Sequence, residues 1–248
     1  MKKLIMPVVG LVAVLSLPAT SHAQEGTSPI EGRWSLSFRG GLDLPLGGDV
    51  PSGGVGTVLG LPTTVDAKNY GDVYGNTFRG EAQLGYGVSE RVELFASGSY
   101  AKKSADLLRV GNVAGLDLNA QFGEYEEVGV EGGMRYFLSH QSMLKPYLAL
   151  SGGVRFLDSN TPTFSVPAAE VTLRDVPFYD SSTVATAAAT FGVRYDVNST
   201  FSIGAETGPR YQGQPESVPT LAGTGLESIN DTGERWSMPV LFTATLRF

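Results

Sequence analysis

The sequence predicts an all-β protein, an eight-stranded antiparallel up-and-down transmembrane β-barrel with short turns at one end and four long loops at the other. Three observations lead to this prediction. Eight segments alternate apolar and polar residues with a period of two, which is typical of strands that have one apolar face. The connections between the segments are alternately short and long, and aromatic residues recur at both ends of the apolar face.

The N-terminal residues predict a cleaved export signal, which is set aside before the fold is considered. Lys2-Lys3 precedes an apolar stretch at 4–17, and Ser21-His22-Ala23 places small residues where a signal peptidase reads them. The stretch is shorter than the roughly 20 residues that a membrane-spanning helix needs, although an uncleaved anchor is the alternative. We therefore expect a signal peptide over 1–23 and a single barrel domain over 24–248.

Composition argues against several classes of function. The chain carries 18 basic and 25 acidic side chains, which disfavours nucleic acid as a partner because phosphate recognition relies on clustered Lys and Arg. The absence of cysteine excludes disulfides, metal–thiolate sites and thiol nucleophiles. Of the two histidines, His22 lies in the predicted signal and His140 in a predicted turn. We therefore expect no catalytic residues, no metal site and no cofactor.

The last fifteen residues form the clearest strand. Even positions from Trp236 to Phe248 are all apolar, whereas the odd positions are mostly polar. An average strand has about five or six residues, so this one is long enough to cross a membrane at a tilt. The same period of two predicts seven further strands, at 33–44, 78–88, 92–100, 127–138, 147–156, 185–195 and 201–210.

The connections between these strands are of two kinds. Those at 89–90, 139–143 and 196–199 are short. Those at 45–76, 102–124, 157–183 and 212–233 are long and rich in Gly, Pro, Asp, Asn and Ser. Outer-membrane barrels have short periplasmic turns and longer outer loops, so both termini are expected on the short-turn side. Weak alternation at 164–166 and 171–176 leaves open a strand extension, an added hairpin or a ten-stranded barrel.

Aromatic residues of the apolar phase are expected to form two girdles, one at each membrane interface. Next to the short turns and termini are Trp34, Tyr86, Tyr136, Tyr195, Phe201 and Phe248. Next to the long loops are Phe78, Tyr100, Phe156, Tyr211 and Trp236. A soluble, lipocalin-like barrel that binds a ligand on this apolar phase is a weaker alternative, because it has no need of two girdles.

The polar phase carries charged residues that an eight-stranded barrel must enclose. They are Arg39, Arg79, Glu81, Glu93, Glu127, Glu131, Arg135, Arg155, Arg194, Glu206, Arg210 and Arg235, with Arg247 in the same phase. An isolated buried ion is very costly, so these side chains must pair or meet trapped water. Two interpretations remain open: a salt-bridge network that plugs the lumen, or a narrow polar path for ions or small solutes.

With these features the chain resembles the OmpA/OmpX-like outer-membrane β-barrel proteins along nearly its whole length. The segment Lys145-Pro146-Tyr147-Leu148, followed by Gly152-Gly153-Val154, also resembles a strand pattern of that group. The resemblance implies export to the outer membrane and contact with lipid and lipopolysaccharide. It also implies that Phe242, Leu246 and Phe248 form the signal read by the barrel-insertion machinery.

The resemblance implies a structural or surface-interaction role, with a host, phage or envelope partner at the loops. A narrow porin-like channel is the first alternative. A barrel enzyme is the weakest, because known barrel enzymes use a histidine near the outer rim and His140 lies in a predicted turn.

Overall fold

The computed structural model describes residues 30–139 and 141–248. The predicted signal peptide and His140 lie outside these residues. Within the described part, the chain forms one short helix, α1 (Tyr70–Tyr74), a 3-10 turn at Pro167–Ala169, and fifteen strands. The strands are β1 (Trp34–Gly47), β2 (Gly54–Val58), β3 (Leu61–Val65), β4 (Thr77–Gly87), β5 (Val92–Lys103), β6 (Leu107–Val113), β7 (Leu116–Gln121), β8 (Tyr125–Phe137), β9 (Leu144–Leu157), β10 (Thr163–Val166), β11 (Val171–Leu173), β12 (Ser182–Asp196), β13 (Phe201–Thr207), β14 (Arg210–Gln212) and β15 (Arg235–Arg247).

The long strands form a closed antiparallel barrel. Its order is β1-β4-β5-β8-β9-β12-β13-β15, and pairing of β15 with β1 closes the sheet. β14 continues β13 along the same two neighbours, β12 and β15, after an interruption at Gly208-Pro209 where proline has no N–H to donate. The barrel therefore has eight strands, as predicted, and the ten-stranded alternative is wrong.

The strand register separates the two faces of the barrel. Between β1 and β15, Phe38 pairs with Ala244 and Leu42 with Val240, and Phe38 and Leu42 are exposed on the outer face. On the inner face, the hydroxyl oxygens of Ser37 and Thr245 lie 2.8 Å apart. The outer face is thus apolar and the inner face polar, which contradicts the lipocalin-like alternative.

Short turns join β4 to β5, β8 to β9 and β12 to β13, and four long loops lie at the other end of the barrel. We call these loop 1 (48–76), loop 2 (104–124), loop 3 (158–181) and loop 4 (213–234). The predicted alternation of short and long connections is confirmed. None of the helices in the described ranges has the length and hydrophobicity that a membrane-spanning helix requires.

Loops 1, 2 and 3 combine into a second sheet that the sequence analysis did not predict. Its order is β11-β10-β7-β6-β3-β2, and we call it the loop sheet. The hairpins β2–β3 and β6–β7 turn at Leu59-Gly60 and Ala114-Gly115, where all four residues have positive φ. Such two-residue turns match the twist of a hairpin, but they usually contain Asn-Gly or Asp-Gly. Of the loop strands, only the β10–β11 hairpin corresponds to an alternative left open by the sequence.

A hydrophobic core joins the barrel to the loop sheet. It includes Tyr125 and Leu157 at the barrel end, Tyr74 of α1, and Leu118 and Val166 of the loop sheet. α1 begins with a capping box, in which the Asn69 side chain accepts from the Asp72 N–H and the Asp72 carboxylate accepts from the Asn69 N–H. The capping box stabilises the start of the helix, and its buried residues Tyr70, Val73 and Tyr74 pack it into this core at the long-loop end of the barrel.

Candidate functional site

The barrel lumen encloses charged side chains. Nine basic and seven acidic residues are buried among the described residues. They comprise the twelve of the predicted lumen set and, in addition, Asp43, Lys145, Asp196 and Arg247. Because each charge is removed from water, the arrangement of ion pairs decides whether the lumen is stable.

Near the long-loop end, Asp43 and Glu127 bind the arginines around them. Arg79 Nη2 lies 2.5 Å from Asp43 Oδ2 and 2.6 Å from Glu127 Oε1. Arg235 Nη2 lies 3.4 Å from Asp43 Oδ2, and Arg155 Nη1 pairs with Glu127 Oε1. Each carboxylate therefore holds two arginines from different strands.

At mid-barrel, Glu131 and Glu81 form the next ion pairs along the lumen. Arg155 Nη2 lies 2.7 Å from Glu131 Oε1, and Arg210 Nη1 pairs with the same oxygen. Ser151 donates to Glu131 Oε2 at 2.9 Å. Arg210 Nη2 lies 3.7 Å from Glu81 Oε1, which extends the series across the lumen.

Toward the short turns, Arg39 lies between Glu81 and Glu206. Its guanidinium nitrogens are 2.5 Å from Glu81 Oε2 and 2.5 Å from Glu206 Oε1. Tyr147 donates to Glu206 Oε2 at 2.7 Å, and Arg135 Nη2 lies 3.7 Å from that oxygen. Arg39 and Glu81 are direct cross-strand partners, the position at which opposite charges stabilise a sheet.

Glu93 completes the series at the short-turn end. It accepts from both terminal nitrogens of Arg194, at 3.0 and 3.1 Å, and pairs with Arg135 Nη1. All twelve residues of the predicted set, together with Asp43, are thus joined in one continuous series of alternating acids and bases. We call this series the lumen network.

A separate cluster lies at the short-turn end, and of its three members the sequence predicts only Arg247 to face inward. Asp196 Oδ2 lies 2.9 Å from Lys145 Nζ, and Asp196 Oδ1 lies 2.5 Å from Arg247 Nη2. The predicted turn at 196–199 includes Asp196, and Lys145 precedes the predicted start of its strand. Both residues continue the inward phase of β12 and β9, so strands extended by two residues would have included them.

Buried aromatic side chains lie inside the barrel at the short-turn end. Phe95, Phe137 and Tyr147 are buried there together with Ile30. The Arg135 guanidinium lies 5.2 Å from the Phe95 ring centre and 4.7 Å from that of Tyr147. Cations are attracted to aromatic faces at such distances. The aromatic plug, as we call Phe95, Phe137 and Tyr147, is therefore tied to the lumen network.

Two buried tyrosines contact the lumen network at the long-loop end. Arg235 lies 5.3 Å from the ring centre of Tyr70 and 5.1 Å from that of Tyr125. The Tyr70 hydroxyl donates to the Gly233 carbonyl at 3.1 Å. Burial raises the pKa of Tyr70 to about 12, which extends the pH range over which this hydroxyl remains a donor. α1 thereby connects the lumen network to loop 4.

Inward-facing glycines make room for the aromatic plug. Gly133 is the cross-strand partner of Phe95, and a Cβ on Gly133 would lie 2.4 Å from the Leu150 carbonyl oxygen and 2.5 Å from Cζ of the Phe95 ring. A Cβ on Gly192 would lie 2.6 Å from the Tyr147 hydroxyl oxygen. Side chains this large fit a narrow barrel only where the facing position has none.

Replacing Gly133 by Ala is expected to destabilise the barrel by about 1–3 kcal/mol, because overpacking forces neighbours out of place. Urea unfolding of the protein in lipid vesicles measures the loss. The matched control is Gly132→Ala on the outer face, where the new Cβ would meet only the Phe95 carbonyl oxygen at 3.8 Å. The control should change stability by less than about 0.5 kcal/mol. Equal effects of the two variants would contradict the close packing of Phe95 and the Leu150 carbonyl around Gly133.

The predicted girdle residues lie on the outer face, next to the barrel ends. Phe201 and Tyr211 are half-buried and the other girdle aromatics are exposed. Trp34 and Tyr86 are in tilted ring contact at 5.0 Å between ring centres, and Tyr211 and Trp236 are in the same kind of contact at 5.2 Å. The residues of the predicted insertion signal, Phe242, Leu246 and Phe248, are also exposed on the outer face.

No protein-family model and no curated protein matches the chain. Solved structures with a similar fold include Ail, the attachment invasion locus protein of Yersinia pestis, which is 12% identical, with 88% of this chain and 99% of that chain covered and a TM-score of 0.40. Neisserial surface protein A is 14% identical, with coverages of 88% and 98% and a TM-score of 0.42. Outer membrane protein OprG from Pseudomonas aeruginosa is 13% identical, with coverages of 90% and 98% and a TM-score of 0.38. The chain itself forms a closed eight-stranded antiparallel barrel, as the sequence predicted.

Proposed function

We propose that the chain is an integral outer-membrane protein with a closed lumen, which acts through its structure and its loop surface and is not an enzyme. The lumen network, which runs from one end of the barrel to the other, carries this proposal. The expected partners are outer-membrane lipid and lipopolysaccharide around the barrel, and a host, phage or envelope partner at the loops. No nucleic acid is expected.

The outer face supports the membrane assignment. Leu94, Leu148 and Phe242, on three different strands, are 48%, 53% and 68% exposed. A soluble protein rarely leaves an apolar surface of this extent in contact with water. A barrel satisfies every backbone group within a closed sheet, which is what hydrocarbon requires. Export through a signal peptide over 1–23 and recognition of Phe242, Leu246 and Phe248 by the insertion machinery remain predictions within this proposal.

The lumen network supports a lumen that is closed to ions. An ion crossing the lumen would have to separate carboxylates from arginines that lie 2.5–2.7 Å away, as at Glu81, Glu127 and Glu131. It would then meet the aromatic plug, in which Phe137 is fully buried. Breaking a buried ion pair costs several kcal/mol, so spontaneous opening should be rare.

We expect the folded protein to show no stepwise conductance in a planar lipid bilayer, because the lumen network and the aromatic plug occlude the path. Insertion is checked separately by the shift in gel migration between unheated and boiled samples. A reconstituted conducting porin serves as the positive control for the bilayer. Steady single-channel steps from protein shown to be folded would overturn closure.

A narrow channel is the second candidate function, and the arginine-rich lumen favours it. The buried charges have an excess of two basic residues. A channel lined by them would prefer anions, and charge reversal at Arg135 or Glu131 would alter its conductance. The bilayer recording distinguishes the two candidates, because a closed barrel gives no current for these substitutions to modify.

A further inference from the structure

A partly open cavity of about 200 Å³ lies on one face of the loop sheet. Val65, Leu118, Leu226 and Ile229 line it and are buried. At the rim, apolar side chains such as Leu61 are exposed. The cavity therefore combines a buried apolar base with an open side, and it is separate from the lumen network.

Loop 4 builds one wall of the cavity against β2. The Ser52 N–H donates to the Ile229 carbonyl at 2.8 Å, which holds loop 4 along the edge of the loop sheet. A Cβ on Gly54 would lie 2.8 Å from Ile229 Cγ2, and one on Gly56 would lie 2.8 Å from Leu226 Cγ. Glycine at these two positions lets Leu226 and Ile229 approach the sheet and form the wall.

We propose that this cavity binds a small hydrocarbon, about the size of a benzene ring with a short substituent. An engineered apolar cavity of about 150 Å³ stays free of water and binds benzene or xenon. The cavity here has a larger volume and a similar lining. Filling it removes apolar surface from water on both the ligand and the protein, which is the main driving force for such binding.

The lining excludes ligands that need polar recognition. Thr63 and Ser165 are its polar residues, and the Thr63 hydroxyl already donates to the Leu61 carbonyl at 3.1 Å. A peptide segment placed here would bury N–H and C=O groups without partners, at a cost of several kcal/mol per group. A charged headgroup would meet no basic side chain in the lining. A molecule with no polar groups carries neither penalty.

The test uses the full-length mature protein in lipid nanodiscs, with 13C-labelled methyl groups of Val, Leu and Ile, titrated with fluorobenzene. We expect saturable shifts at the methyl groups of Val65, Leu118 and Ile229. Lipid-facing methyl groups such as those of Leu94 should shift only in proportion to the probe dissolved in the bilayer. Absence of saturable shifts in the folded protein would overturn the proposal.

Two substitutions of Val113, which is half-buried in the lining, locate the site. Val113→Phe should weaken binding by at least about tenfold, since its ring takes the space of the probe. Asn112→Phe is the matched control, because this residue precedes Val113 and points to the opposite face of β6. Val113→Ala enlarges the cavity and should keep fluorobenzene binding while admitting fluoronaphthalene, which covers the case that Val113→Phe misfolds. Unchanged binding in Val113→Phe would overturn the location.

This inference rests on the loop-surface role proposed above. A negative result in the binding test would overturn the hydrocarbon site without overturning the proposed function. The methyl signals of the cavity could instead shift with protein concentration and without added probe. That result would indicate that a second copy of the chain covers the cavity, and it would overturn the proposal of a hydrocarbon ligand. Such results would leave the bilayer recording, and with it the closed lumen, unaffected.

Discussion

Replacing Glu127 by Gln is expected to destabilise the barrel by about 3–5 kcal/mol, the usual cost of removing one partner from a buried ion pair. Glu127 is fully enclosed and holds both Arg79 and Arg155, while the Tyr125 hydroxyl donates to its second oxygen. The amide keeps the size of the side chain but leaves the two guanidinium groups short of one negative charge. Urea unfolding in lipid vesicles measures the difference in free energy.

The neighbouring residue provides the matched control. Glu126 points outward, its side chain is 34% exposed, and its Oε2 lies 3.5 Å from Lys102 Nζ. Exposed pairs contribute little, so Glu126→Gln should cost less than about 1 kcal/mol. If the two variants lost the same small amount, the lumen network would not stabilise the barrel.

Replacing Val130 by Arg is expected to cost about 2–4 kcal/mol of stability in lipid vesicles, the cost of a lipid-facing cation near the bilayer midplane. Val130 is 52% exposed and lies halfway along β8, beside Gly98 and Val154 of the neighbouring strands. Its environment in the proposed orientation is hydrocarbon, which cannot solvate a guanidinium group. Folding yield and urea unfolding in vesicles both report the effect.

Val55→Arg is the control for the lipid environment. Val55 lies in β2 of the loop sheet and is 74% exposed, beyond the barrel wall. Its substitution should change stability by less than about 0.5 kcal/mol, as is usual for exposed positions. If Val130→Arg folded as well as Val55→Arg, or if the wild type stayed soluble without detergent, the membrane assignment would be wrong.

The barrel could be predicted from the sequence because its two faces meet opposite environments. Each strand must alternate along its whole length, as in Trp236, Met238 and Val240, so the period of two is long and unambiguous. The predicted lumen residues together with Arg247 are thirteen of the sixteen charged residues that are buried in the described ranges, and the other three are Asp43, Lys145 and Asp196. The partners of the enclosed charges could not be predicted, because pairs such as Arg194 and Glu93 are 101 residues apart and come together only through the register of a closed sheet.

The loop sheet escaped prediction for local reasons. β2 and β3 are five residues long, and the Leu59-Gly60 turn lacks the Asn or Asp that usually marks such a hairpin. β7 does alternate, with Leu116 and Leu118 in one phase, and that signal together with Gly115 could have predicted the second hairpin. The cavity depends on contacts between loop 4 and loop 1, which no local pattern encodes.

Shared hydrogen bonding joins loops 1, 2 and 3 into one continuous sheet at the long-loop end of the barrel. β3 pairs with β6, and β7 pairs with β10, so a displacement of one hairpin must be transmitted to the next. Loops 1, 2 and 3, which are distant in the chain, therefore fold and unfold together. A partner that contacts any one of them meets a surface whose shape all three determine.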